Sequence, residues 1–181
     1  MKTAIEDVLD FWFKELQPKD WFVSNQEVDD TISERFGSLL ESAAKSELFA
    51  WRSTAKGRLA EIIVLDQFSR NVYRNTPQAF AQDPLALALA QDAIERGLDK
   101  ELSTQERSFL YMPYMHSESA LIHQHAVTLF DQPGLENNYD FELKHKVIID
   151  RFGRYPHRNA ILGRESSAEE LEFLTQPGSG F

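Results

Sequence analysis

Apolar residues recur at helical spacing along most of this 181-residue chain, with polar residues between them. The first stretch begins at Thr3, which with Glu6 has the spacing of a capping box, and Pro18 stops it. The second follows Asn25, a favourable N-cap residue, and Gly37 inside it is a point where a helix can bend. Both stretches predict amphipathic helices near the start of the chain.

A third stretch differs from these two because it is apolar on nearly every side. It follows Ser53 or Thr54, either of which can cap a helix, and it runs through residues 59–65 to Asp66. A helix without a polar face must be covered by the rest of the protein. We therefore expect this helix to be central and buried.

Five more helices are predicted downstream. They lie at about residues 85–96, 103–112, 119–130, 140–152 and in a short stretch after Ser167. Asp83 is expected to cap the first of them, while Gly97 and Gly153 have the position of residues that end helices. Pro113 is expected to kink or end another helix, which places His116 beyond the break, at the start of the next one.

No segment of strand length alternates apolar and polar residues with β-branched side chains, so the sequence predicts no strand. The predicted fold class is all-α, with antiparallel helical hairpins stacked through short connections. Residues 1–176 are expected to form a single helical domain, a length that suits one core. Residues 177–181, with one proline and two glycines, are expected to form a flexible tail.

The charge and composition of the chain exclude several classes of partner. A net charge of −10 argues against nucleic-acid binding and membrane-surface binding, because both require a basic face. The chain has no cysteine and no histidine–carboxylate pattern typical of a metal site, so no metal and no cofactor are predicted. The sequence shows no signal peptide and no apolar run of membrane-spanning length, so we expect a cytoplasmic protein.

Two decapeptides share the pattern D-x-F-(small)-R-x-x-(aromatic)-R-N. The first decapeptide is residues 66–75 and the second decapeptide is residues 150–159. Each follows a short apolar run, and the second lies in a basic segment of an otherwise acidic chain. The repeat predicts a pseudo-symmetric pair of arginine-rich helix ends that converge on one polar centre. Guanidinium groups bind carboxylates and phosphates through paired hydrogen bonds, so an anion is the ligand that such a centre favours.

We therefore predict a pocket for a small anionic molecule or an acidic peptide end. Its candidate ligand-binding residues are Asp66, Arg70, Asn71, Arg74, Glu118, Arg151, Arg154, Arg158 and Asn159. A structural alternative uses the same residues. Asp66, Arg70 and Arg74 have i, i+4, i+8 spacing, so ion pairs could instead hold two halves of the helical stack together.

An enzymatic alternative places acid–base chemistry in the same pocket. His116 and His157 are its candidate catalytic residues, because the pKa of imidazole lies near neutrality. Asp66 or Glu118 would orient the histidine, and the arginines would stabilise developing negative charge. The reaction would be hydrolysis or transfer on a phosphorylated or carboxylated small molecule, with water as nucleophile because no cysteine or recognisable serine nucleophile is present. The sequence leaves open whether the protein is an enzyme and what its oligomeric state is.

Three separated motifs resemble the bacterial domain-of-unknown-function family 924, and the opening of the chain is similar as well. These stretches are Val8–Phe13, Leu65–Asn71, Met115–Glu118 and Arg151–Asn159. The resemblance covers nearly the whole chain and implies an all-helical fold related to tetratricopeptide-like superhelices. It implies no established activity, so the functional hypotheses rest on the residues themselves.

Overall fold

The computed structural model describes residues 2–181, and most of these residues lie in helices. The α-helices are α1 (Ala4–Asp10), α2 (Gln26–Ala44), α3 (Ala55–Ile62), α4 (Ser69–Val72), α5 (Asp83–Glu95), α6 (Thr104–His116), α7 (Ala120–Phe130), α8 (Glu136–Phe152), α9 (Asn159–Leu162) and α10 (Ala168–Leu174). The other helical segments are two π-helical turns, Phe11–Glu15 and Ile63–Phe68, and five 3-10 helices, Pro18–Trp21, Phe49–Ser53, Pro77–Phe80, Leu98–Glu101 and Pro156–Arg158. No strand occurs between residues 2 and 181, so the predicted all-α class is confirmed.

The capping residues in the sequence locate three helix starts correctly. Thr3 and Glu6 form the capping box of α1. The Asn25 side chain accepts a hydrogen bond from the first turn of α2. Thr54, and not Ser53, caps α3 by accepting a hydrogen bond from the backbone of its first turn. Local hydrogen bonding by short polar side chains therefore sets these boundaries, as the sequence predicts.

Three boundaries further along the chain differ from the prediction. α6 continues through Pro113 to His116, so His116 ends a helix and does not begin one. A proline removes one backbone donor, and the buried side chains around it on α6 keep the helix intact despite that loss. Asp83 lies inside α5 and does not cap it, and α8 begins at Glu136, earlier than predicted.

The main core is built around one continuous helical rod. In this rod α3, the π-helical turn Ile63–Phe68 and α4 follow each other without a break. Every side chain from residue 59 to residue 68 is buried, and α2, α5 and α6 pack around the rod. The prediction of a central third helix is confirmed.

A smaller apolar cluster connects the end of α8 with the segment that follows it. Ile148, Ile149 and Tyr155 form this cluster, with Phe152 and Phe173 packed against it. α7 packs against both α6 and α8 and so joins the cluster to the main core. Side chains of the C-terminal part also bind the end of α6, and the candidate site lies at this junction.

The described residues contain no helix that is long and apolar enough to cross a bilayer. The last residues, expected to be flexible, make contacts with the rest of the C-terminal part. The Ser179 hydroxyl donates to the carbonyl of Leu174, and the Phe181 ring lies 3.6 Å from the ring of His145 between centroids. The single-domain assignment and the tetratricopeptide-like stacking remain predictions.

Candidate functional site

Asp66, which is buried, and His116, which is partly buried, form a pair where the central rod meets the end of α6. The Asp66 side chain is 1% exposed, and its Oδ1 lies 2.7 Å from Nδ1 of His116. Its Oδ2 accepts a 2.6 Å hydrogen bond from the side-chain amide of Gln67. Arg70 Nη1 lies 3.3 Å from Oδ1, as the i, i+4 spacing predicts. The carboxylate is thus surrounded by donors although it lies in the core.

The protonation states of this pair follow from its surroundings. Burial alone would raise the pKa of Asp66, but His116 and Arg70 outweigh burial and lower this pKa to about 2. Burial and the charge of Arg70 lower the pKa of His116, against the opposing effect of Asp66. At neutral pH we therefore assign Asp66 as a carboxylate and His116 as a neutral imidazole that carries its proton on Nδ1.

Asp83 links the two decapeptides. Arg70 of the first decapeptide donates two hydrogen bonds to it, of 2.7 and 2.9 Å. Arg158 of the second decapeptide lies 3.5 Å from the same carboxylate and donates a 3.0 Å bond to the backbone carbonyl of His116. The two segments therefore meet in space. Arg70 is the fifth residue of the first decapeptide, whereas Arg158 is the ninth residue of the second. Because different positions of the shared pattern meet, the predicted pseudo-symmetry is absent.

Arg158 is buried and incompletely paired. Its guanidinium lies between the rings of Phe80 and Tyr155, 4.5 and 4.6 Å from their centroids. The residue is 6% exposed, and its Nε bonds to no described side chain or backbone group. Burial and the nearby charge of Arg70 lower the pKa of Arg158. An unpaired buried donor costs about 1–3 kcal/mol, so an acceptor from a ligand would stabilise this side chain.

A cleft of about 360 Å³ opens beside this centre. The polar residues of its lining are Asp83, His116, Ser117, Glu118 and Arg158. Its apolar walls include Phe80, Pro84, Leu87, Pro113 and Leu162. Ligand sites commonly have volumes of about 300–1,000 Å³ and combine apolar walls with a few polar groups. The cleft is therefore suited in size and lining to a small molecule.

Three consecutive carbonyl groups at the end of α6 are held by side chains from other parts of the chain. The Tyr155 hydroxyl donates to the carbonyl of Met115 at 2.5 Å. His123 Nε2 donates to the carbonyl of Ser117 at 2.8 Å, since a carbonyl oxygen can only accept. Arg158 bonds the carbonyl between these two. The last carbonyls of a helix have no partner within it, so these bonds fix the backbone on both sides of His116.

Other predicted residues of the first decapeptide lie away from the cleft. Arg74 donates two hydrogen bonds to Asp29, of 2.7 and 2.8 Å, and Asn71 donates a third at 2.7 Å. Asp29 belongs to α2, so this contact ties α4 to α2. The arrangement agrees with the structural alternative for these two residues.

Most of the second decapeptide also points elsewhere. Arg151 pairs with the exposed Glu169 at 2.8 Å, and Arg154 donates two hydrogen bonds to Glu170, of 2.7 and 2.8 Å. His157 does not line the cleft, and its buried Nδ1 has no partner among residues 2–181. Burial and a neighbouring arginine lower the pKa of His157 to about 4. Of the two candidate catalytic histidines, the structure places His116 at the cleft.

Glu118 and Asn159 are connected through Arg164. This arginine donates two hydrogen bonds to Glu118, of 2.7 and 2.8 Å, and one to Asn159 at 2.9 Å. The backbone N–H of Tyr155 donates to Glu118 as well, at 2.7 Å. Glu118 lines the cleft, but its charge is already balanced within the protein.

The sequence identifies the central side chains but not the residues that surround them. The unidentified partners are Gln67, Phe80, Asp83, His123, Tyr155 and Arg164. Asp83 carries a signal in the sequence, an acid beside Pro84, but that signal indicates a helix start. The partners that lie far along the chain are joined by the fold alone, and no spacing rule connects them.

The described side chains supply a neutral base, His116, beside a cation, Arg158, in a cleft with apolar walls. In the part of the chain that the structure describes, no group of three or more histidine, aspartate or glutamate side chains is placed to hold a metal ion. The chemistry that these residues themselves offer is anion binding and proton transfer.

The similarity of this chain to known proteins extends over nearly its whole length. A family described as a bacterial protein of unknown function, DUF924, matches residues 8–178. A solved structure of a protein of unknown function, ATU0120 from Agrobacterium tumefaciens, is 39% identical and has a TM-score of 0.89, covering 94% of this chain and 96% of that one. Among curated proteins, none matches significantly. The chain belongs to the bacterial family DUF924.

Proposed function

We propose that the cleft binds a small carboxylic acid with an apolar body, and that Arg158 is its anchor. The observation that supports this proposal is the incomplete pairing of Arg158, which lines the cleft. Its Nη1 is not fully buried and makes no hydrogen bond within residues 2–181, and its buried Nε is unpaired there as well. A carboxylate accepts hydrogen bonds from one edge of a guanidinium in a charge-assisted geometry. Such a ligand would supply the acceptor that the protein does not.

The other arginines near the centre are occupied by the protein itself. Arg70, Arg154 and Arg164 each donate two hydrogen bonds to a carboxylate of the chain. Breaking a pair of this kind leaves a charge without its partner, so these arginines serve the fold. Anion binding therefore centres on Arg158 and not on a pocket of several arginines.

The charge of the lining favours a carboxylate over a phosphate. Asp83 and Glu118 both line the cleft, and each accepts two hydrogen bonds from one arginine, Arg70 and Arg164 respectively. A phosphate dianion would bring a second negative charge close to these carboxylates, with only Arg158 to offset it. A monoanion avoids this repulsion.

The size and the walls of the cleft favour a small molecule over a peptide end. The volume of about 360 Å³ lies at the lower end of the range for small-molecule sites. Phe80, Leu87 and Leu162 present apolar surface to the ligand, so an aliphatic chain or an aromatic ring would be buried there. Benzoate and hexanoate are simple members of this class.

The proposal is tested by thermal unfolding with benzoate, hexanoate, inorganic phosphate and the neutral benzamide. A ligand at a hundredfold its Kd adds about 2.7 kcal/mol to the free energy of unfolding, which raises Tm by roughly 5–10 °C at this size. We expect benzoate or hexanoate to raise Tm, and phosphate and benzamide to leave it unchanged.

Arg158→Met is the test variant, and Arg151→Met is its matched control from the same decapeptide. Arg151 pairs with an exposed glutamate and does not line the cleft, so its variant should keep the shift. Arg158→Met should abolish it. A carboxylate shift that survives in Arg158→Met, or the absence of any shift in the unmodified protein, would refute the proposal.

A further inference from the structure

The ring of His116 has one nitrogen held and the other free. Asp66 holds Nδ1 at 2.7 Å. Nε2 makes no hydrogen bond to residues 2–181 and is not fully buried, in a side chain that is 16% exposed. Since His116 lines the cleft, Nε2 is the ring nitrogen that remains available to a ligand there.

The position of this ring is fixed from two sides. Asp66 sets its orientation and tautomer, and the carbonyl bonds made by Tyr155, Arg158 and His123 fix the backbone that carries it. A histidine oriented by a buried carboxylate, with the second nitrogen toward a ligand site, is the arrangement that general acid–base catalysis requires. The same carboxylate stabilises the imidazolium that forms when Nε2 takes up a proton.

We propose that His116 is a general base that activates water to hydrolyse an ester whose acid half carries the carboxylate anchored by Arg158. Asp66 is a positioning residue in this reaction. The inference rests on the proposed function, because Arg158 must hold the substrate beside His116. Burial and Arg70 keep His116 neutral at neutral pH, which agrees with a base.

The reaction needs only the substrate and one water molecule. Water attacks the ester carbonyl carbon, His116 Nε2 takes one of its protons, and the carbonyl electron pair moves onto oxygen. When that pair returns, the bond from carbon to the alcohol oxygen breaks and the alcohol oxygen leaves with the bonding electrons. His116 gives its proton to the leaving oxygen. The products are one acid and one alcohol, and the imidazole is regenerated.

The probe is the mono-para-nitrophenyl ester of terephthalic acid, a rigid aromatic ester with one free carboxylate. The para-nitrophenyl ester of para-methylbenzoic acid is the uncharged control. Release of nitrophenol measures the reaction. Binding is measured separately by calorimetry with 4-carbamoylbenzoate, a monoanion of similar shape that has an amide in place of the ester. We expect the protein to hydrolyse the charged ester in preference to the control.

Three variants assign the roles. His116→Gln should lower kcat by about 100-fold or more and keep the binding of 4-carbamoylbenzoate. His125→Gln, on an exposed histidine of α7, should leave the rate unchanged. Asp66→Asn should lower kcat and move the acidic limb of the pH–rate profile to lower pH, because Asp66 raises the pKa of His116.

The outcomes separate the two proposals. If 4-carbamoylbenzoate does not bind, the binding function fails and takes the reaction with it. If it binds but the ester is not hydrolysed above the rate in buffer, only the reaction fails. The same holds if His116→Gln keeps the rate, or if Asp66→Asn leaves the pH profile where it was.

Discussion

The aspartates of the two decapeptides have the same place in the pattern and opposite environments. Asp66 has a side chain that is 1% exposed and holds His116 in the core. Asp150 has a side chain that is 46% exposed and pairs with Lys146 on the same helix face. An identical residue at an identical position therefore builds a site in one case and only a surface ion pair in the other.

The course of the backbone explains this difference. The rod that carries the first decapeptide continues past its aspartate, with core on every side. The second decapeptide is interrupted at Gly153, which has a φ of 70° and ends α8 in the left-handed conformation. Its later residues turn toward other elements, and Arg158 alone of its arginines lines the cleft in the described structure. Burial and neighbours, and not the shared pattern, decide what each position does.

Replacing the aspartate of each decapeptide by alanine should give the largest difference in the free energy of unfolding. Asp66→Ala removes a buried carboxylate that binds the partly buried Arg70 and His116, and we expect it to lower the free energy of unfolding by about 3–5 kcal/mol. Asp150→Ala should change it by less than about 0.5 kcal/mol. Urea unfolding of both variants measures the difference, and equal values would remove the basis of the comparison.

Replacing the arginine at the ninth position of each decapeptide, Arg74 or Arg158, should give an intermediate difference in the free energy of unfolding. Arg74→Met leaves Asp29 with Asn71 as its remaining side-chain partner, so we expect a loss of about 1–2 kcal/mol. Arg158→Met replaces an incompletely paired buried charge by an apolar side chain of similar length, and this should change stability by less than about 1 kcal/mol.

The same unfolding measurement tests this second contrast. A larger loss in Arg158→Met than in Arg74→Met would show that Arg158 serves chiefly to hold the fold, as the structural alternative states. A small loss together with the loss of ligand binding would mark Arg158 as a functional residue, because such residues add little to stability.

The smallest effect is expected in the pKa values of the two histidines, His116 and His157. His116 has Asp66 as partner, whereas Nδ1 of His157 has none among residues 2–181, so an NMR titration should show His157 near a pKa of about 4 and His116 below its ordinary value. Asp66→Asn should lower the pKa of His116 further, since a carboxylate favours the imidazolium. Asp150→Asn, the matched control, should leave both values unchanged.

The lowered pKa values of His116 and His157 also determine how the stability of the fold changes with pH. A histidine whose pKa is lower in the folded than in the unfolded protein favours folding when it is neutral. The stability that this provides is present above the unfolded value of about 6.5 and is lost as the pH falls below it. Stability that rises on acidification through this range would contradict the assignment of neutral His116 and His157.

The sequence predicts the helices and the identity of the central side chains well. The capping residues Thr3, Asn25 and Thr54 act locally, so their effect can be derived from a few neighbouring residues. Asp66 and Arg70 are related by helical spacing, and their ion pair follows from that spacing. Both kinds of inference depend on contacts within one or two turns.

The sequence does not predict how the site is completed. Asp83 joins Arg70 and Arg158 because α5 packs against the central rod, and this contact depends on the whole fold. The continuation of α6 through Pro113 likewise depends on buried neighbours that outweigh a local preference. Long-range packing therefore determines the partners of Asp83 and the end of α6, which local sequence rules either leave open or predict wrongly.

The π-helical turn Ile63–Phe68 gives the central rod a reserve of one residue. Such a turn closes through i→i+5 bonds and so accommodates one residue more than an α-helical turn. Removing one residue of this turn outside the site, such as Val64, would let the helix close as an α-helix, and α4 would keep nearly its present orientation relative to α3. Removing a second residue would leave no π-helical turn to absorb the loss, so α4 would rotate by about 100° and Arg70 would turn away from Asp83. The rod of this protein can therefore lose one residue, but not two, without separating the residues of the centre.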